Sequence, residues 1–144
     1  MITDKFLRVS DAQAVTTTAV STDSIDLGTA RDIGEGNELM MNFDVGTAFA
    51  GGTSLQFEVI VADNAALTTN VTVVGSSAAV ATASLTAGKM ETVRINPQIA
   101  SLGRRYIGAR YTVVGTMTAG TVTADMVMDI QDGRKSYASG FSVV

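Results

Sequence analysis

The stretch "TSLQFEVIVA", residues 53–62, decides the fold. Leu55, Phe57, Val59 and Val61 alternate with Gln56 and Glu58. Period two over this length puts one face into a core and turns the other to water, which is a strand. Just upstream, "AFAGGT" supplies Gly51-Gly52, a tight turn, because glycine accepts positive φ without steric cost. "NELMMNFDV" then reads as a strand ending near Gly46, and "AVTTTAVS", "NVTVVG" and "ETVRI" read as further short strands. Asn96-Pro97, with the only proline of the chain, closes the last of these by removing a ladder donor. "DIGEGNE" places Gly34 and Gly36 at a turn, and "SSAAVATASLTAG" fits a strand, a loop or a short helix equally well. Recurrent strands with almost no helical periodicity predict an all-β fold, an antiparallel β-sandwich or barrel. The 144 residues make one such domain, 1–144.

"RRYIGARYTVVG", residues 104–115, sets Arg104, Arg105 and Arg110 among Tyr106 and Tyr111, a pattern resembling a nucleic-acid footprint. The following "TVTADMVMDIQ" also alternates, and "GTMTAG" between them carries glycine at each end. The two segments predict a hairpin with Val113 opposite Val122. That register puts Ile107, Ala109 and Tyr111 on an apolar face with Met128, Met126 and Ala124, and sets Arg110 opposite Asp125 and Tyr106 opposite Asp129. The arginines are then a sheet surface with carboxylate partners. Arg105 falls on the core phase at the end of its strand, so it must reach outward or meet a partner.

Composition narrows the function. The formal net charge is −4, the wrong sign for a protein whose main partner is DNA. With no histidine and no cysteine, Ser-His and Cys-His nucleophiles, disulfides and ordinary zinc sites are excluded. No phosphate-cradling glycine motif follows a strand. "DIQDG" could offer Asp129 and Asp132 to calcium but lacks the alternating ligand spacing, and Asp132-Gly133 is an ordinary turn dipeptide. Asp23 and Asp26 beside Ile25 suit a turn or strand end. No enzyme activity, cofactor or metal is expected. The start, "MITDKFLRVSDAQ", lacks the pattern of a signal peptide, and no stretch approaches a membrane span, so the domain is expected to be soluble and made in the cytoplasm.

Both termini carry apolar residues outside the expected core: Phe6, Leu7 and Val9 at the start, Tyr137, Phe141, Val143 and Val144 at the end. They are either edge strands completing the sandwich or arms that dock on a neighbouring subunit. Phe6, Leu7, Arg105, Tyr137 and Phe141 are the candidate interaction residues.

"VSDAQAVTTTAVSTDSIDLG", "AFAGGTSLQFEVIVADNAALTT" and "SLGRRYIGARYTVVGTMTAGTVTADMVMDIQ" resemble small capsid cement (decoration) proteins of tailed double-stranded-DNA bacteriophages. The likeness runs from about Leu7 to Phe141. It implies a jelly-roll-like sandwich on the outer surface of an expanded icosahedral head, bridging major capsid protein subunits and acting as a homo-oligomer, dimer or trimer. No nucleic acid or membrane would be a partner. The alternative is a β-sandwich that binds a carbohydrate or receptor at a virion or cell surface, for which the few aromatic residues make a poor platform.

Overall fold

The computed structural model describes residues 3–34 and 36–128. Among the described residues ten strands follow one another: β1 (Arg8–Ala14), β2 (Ala19–Val20), β3 (Ile25–Asp26), β4 (Met40–Gly51), β5 (Ser54–Ala62), β6 (Thr72–Ser76), β7 (Val80–Ala81), β8 (Met90–Arg94), β9 (Tyr106–Val114) and β10 (Met117–Val127). Every pairing is antiparallel. One sheet, A, runs β1-β10-β4-β8; the other, B, runs β2-β9-β5-β6, with β3 also on β9 and β7 also on β5. The two sheets pack face to face as an all-β sandwich.

The frame is a pair of long bent ribbons. β4 leaves sheet A, turns at Gly51-Gly52 and continues in sheet B as β5, while β9 leaves sheet B, turns at Gly115 and continues in sheet A as β10. The two ribbons pair with each other on both sides of the bend, β4 with β10 and β5 with β9. That wrapping is jelly-roll-like. The bend needs glycine: Gly51, Gly52 and Gly115 have φ of +73°, +57° and +85°, and a Cβ on Gly115 would sit 3.0 Å from the Gly52 Cα.

The expected hairpin of residues 104–131 is therefore corrected. β9 and β10 are consecutive but lie in different sheets: Val113 pairs with Leu55 and Val122 with Val45. Alternation records which face of a strand is buried, and strands facing each other through a core alternate just as paired neighbours do. The inward residues are as predicted, since Ile107, Ala109 and Tyr111 are all buried. Met128, expected on that apolar face, is instead exposed. Asp129 and the rest of the C-terminal segment, with "DIQDG", lie outside the described residues.

Two boundaries also differ. β4 passes through Gly46 rather than ending there; the ladder to β10 shifts register near Thr121, and the Thr47 amide donates to Thr121 Oγ1 at 2.9 Å. The irregularity is a bulge in a continuing strand. "AVTTTAVS" is not one strand: Ala14 ends β1, Val15–Thr18 lie between strands, and Ala19–Val20 form β2. The ambiguous "SSAAVATASLTAG" holds both β7 and a 3-10 turn at Thr82–Ser84, which sets Leu85 in the core.

At the centre of the core Phe43 of sheet A meets Phe57 of sheet B with ring centroids 4.9 Å apart, and Tyr111 presents edge-on geometry to both, at 6.1 and 6.3 Å. The buried Tyr111 hydroxyl donates to Ser10 Oγ at 2.7 Å, and Ser10 donates to Gln13 Oε1 at 2.7 Å. Burial pushes the Tyr111 phenol pKa up, so it stays a donor. This chain of hydrogen bonds ties β1, the edge of sheet A, to the middle of sheet B.

Candidate docking surface

The arginines come first, because a free basic patch would have set the function. Each has a carboxylate. Arg110 Nε donates to Glu58 Oε2 at 2.6 Å, straight across the β5–β9 ladder. Arg104 Nη1 reaches Asp63 at 2.9 Å in the loop after β5. Arg105 grips Asp26 with two bonds of 2.7 Å. The expected Arg110–Asp125 pair does not form; Asp125 accepts from Arg8 Nε at 2.9 Å. Arg105 does reach outward and meets a partner, and its guanidinium also lies 5.4 Å from the Tyr106 ring centroid. Hydrogen bonding to Arg105, and then to the Gly28 amide, holds Asp26 down to about 2. Glu58 is likewise lowered, chiefly by Arg110, against the opposing effect of burial. The group stitches β3, β5, β9 and the 63–70 loop together. Asp26, read as a strand-end residue, sits at that end of β3.

The N-terminal residues divide sharply. Val9 is fully buried in β1, the edge-strand reading of the terminus. Phe6 is 91% exposed, and Leu7 is partly exposed. Yet Phe6 does not hang on a loose end. Lys5–Leu7 form a 3-10 turn; Asp4 caps it by accepting the Phe6 amide at 2.9 Å, and the Leu7 amide donates to the Asp4 carbonyl at 3.0 Å. The next residue, Arg8, is clamped to Asp125 and to Asp11 at 3.1 Å. An aromatic ring is thus held in water by a locally bonded turn set against β10. Met128, at the end of β10, adds a second exposed apolar side chain.

Across sheet A, at the far edge, Gly34, Glu38, Leu39, Arg94, Ile95 and Pro97 line a hollow of about 240 Å³. Leu39 and Ile95 are fixed by the Ile95 amide donating to the Leu39 carbonyl at 3.1 Å. Arg94 and Glu38 pair at 2.7 Å on the rim, and both side chains are well exposed. Sequence reading found the turns "DIGEGNE" and Asn96-Pro97 and the strands "NELMMNFDV" and "ETVRI" here, but no hollow between them. Its parts come from segments more than fifty residues apart, so no local pattern announces it. Of the five candidate interaction residues, Phe6 and Leu7 share the N-terminal turn, and Arg105 is elsewhere, in its ion pair with Asp26. Tyr137 and Phe141 lie outside the described residues. No cluster of three or more metal-ligating carboxylates occurs among the described residues.

Residues 9–126, from the start of β1 almost to the end of β10, match the family model described as Bbp16. No curated protein matches the chain.

Proposed function

The chain belongs to the Bbp16 family, and we propose, from its resemblance to capsid cement proteins, that it is a structural virion protein, a cement protein of a tailed-phage head. It binds the outer surface of an expanded icosahedral capsid, bridges major capsid protein subunits and works as a homo-oligomer without cofactor or catalysis. The observation that carries this reading is the capped N-terminal turn that keeps Phe6 in water. Exposing an aromatic ring forgoes about 2 kcal/mol of burial, and a turn bonded at Asp4, Lys5 and Arg8 keeps the ring presented rather than letting it collapse onto the sandwich. Such an apolar anchor on a fixed turn suits docking, since little backbone freedom is left to lose on binding. The resemblance of the sequence to capsid cement proteins supplies the setting, a shell-bound homo-oligomer in which such an anchor would join one subunit to another.

The mechanism is linkage. A protein that binds only the assembled lattice stabilises that lattice, and many symmetric copies add avidity to modest single contacts. The test is co-sedimentation with expanded, undecorated heads of the cognate phage. Saturation at a fixed ratio to the major capsid protein is expected, with far weaker binding to dissociated subunits and greater heat resistance of the saturated heads. A full-length protein that stays in the supernatant sinks the assignment and favours the carbohydrate- or receptor-binding alternative.

A further inference from the structure

We infer that the hollow at the end of β8 receives Phe6 from a second copy of this chain. The inference rests on the homo-oligomer part of the proposed function and gives it a surface.

Size, chemistry and placement converge. The hollow measures about 240 Å³ and its apolar lining is Leu39, Ile95 and Pro97; an apolar cavity of about 150 Å³ already accepts benzene. Among the described residues Phe6 is the most exposed of the large apolar side chains, at 91%. The charges also match. Asp4 and Lys5 precede Phe6 on its turn, while Arg94 and Glu38 stand on the rim, so each flanking charge finds its opposite.

Register then identifies the occupant. Arg8, Asp125, Asn42 and Thr92 form one row across sheet A, and Val127, Met40 and Arg94 form the row two residues nearer the end. The turn preceding Arg8 and the hollow beside Arg94 therefore share one end of the sheet. Between them lie three strand spacings, about 14 Å at about 4.8 Å each. The turn is pinned by its cap and by the Arg8–Asp125 clamp, so Phe6 cannot cross to the hollow of its own molecule. A two-fold axis between two such ends brings each Phe6 to the other copy's hollow and sets the exposed Met128 near the axis. The contact is then self-complementary, as a closed two-fold interface must be.

Sedimentation equilibrium of the full chain at micromolar concentration tests this. A two-copy species is expected. Phe6→Ala should weaken self-association about thirty-fold or more, the loss typical of an aromatic anchor, and leave the strand signal in circular dichroism unchanged because Phe6 has little to do with the core. Lys5→Glu and Glu38→Lys should each weaken association, and the two together should restore it. A wild-type protein that remains one copy, or a Phe6→Ala variant of unchanged mass, overturns the inference. Head binding is read separately. Monomers that still saturate heads overturn only this contact, and dimers that ignore heads overturn only the cement assignment.

Discussion

The two outer faces of the sandwich answer the same physical demand differently. On sheet B, the 63–71 loop folds back and lays Leu67 on Gly108, where even a Cβ would come within 2.4 Å of Leu67 Cδ1. Leu67, Ile60 and Ala62 make a small second core there, with Val20, Val71 and Tyr106 around it. Beside it the buried Glu58 accepts from both Arg110 and Thr112, the latter at 2.8 Å. On sheet A, Asn42 is 1% exposed and neither atom of its amide has a hydrogen-bond partner. Directly opposite, Asp125 is held by Arg8. A buried amide left unpaired costs about 1–3 kcal/mol. Arg104 Nε beside sheet B also lacks a partner, although its Nη1 reaches Asp63, whereas the Asn42 amide meets none at either atom and lies on the sheet that also carries the Phe6 turn and the hollow.

That contrast can be broken by substitution. The largest effect is expected at Leu67→Ala, which empties the small core on sheet B: a loss of about 2–5 kcal/mol in urea denaturation. A loss close to zero would mean the loop is not a structural lid. Asp125→Ala should cost about 1–3 kcal/mol by stranding the half-buried Arg8, and it should loosen β1, seen as faster amide exchange at Val9. Asn42→Val should do the reverse. Removing the unpaired amide from a central strand is expected to add about 1 kcal/mol and raise the melting temperature by about 2–4 °C. A lower melting temperature would show that the Asn42 amide is satisfied after all.

The smallest effect at neutral pH belongs to the exposed Asp26–Arg105 pair. The Asp26 carboxyl, near 3.9 when unfolded, is held at about 2 in the fold. Its stabilisation is therefore complete above the unfolded value and drains away as pH falls from about 4 to about 2. Asp26→Asn should lower the pH 7 melt slightly and flatten that acid limb by the same small amount, because the exposed pair is screened by solvent. Glu58, also lowered, should contribute to the same decline, beginning near the unfolded glutamate value of about 4.3.

The phase of the long strands was legible in the sequence because burial on one face leaves a period of two. Leu55, Phe57, Ile107 and Tyr111 point inward as their alternation requires. Partnership was not legible. Arg110 on an outward phase needs a nearby carboxylate, and Asp125 and Glu58 satisfy that need equally on paper. Which one it meets depends on whether Gly115 closes a hairpin or turns the chain into the other sheet. Ile60 was also unreadable: it is out of phase, and it is buried only because a loop returns to cover it. At the docking surface, apolar residues before the first strand could be seen, whereas the hollow required β4 and β8 to be brought together first.

The bent ribbons also set a timetable. β5 has Val59 and Ile60 ready by residue 62, but their main ladder partners on β9, Ala109 and Gly108, lie almost fifty residues further along. At roughly 5–20 residues per second, a ribosome takes several seconds to supply them. Until then the most apolar strand of the molecule has no long partner, and β4 waits longer still for β10. A topology so dominated by distant pairings closes slowly, on the order of milliseconds to seconds once the chain is complete. The chain is therefore most vulnerable to strand-to-strand aggregation during synthesis, and cooler expression, which slows unwanted association of the waiting strands, should improve its soluble yield.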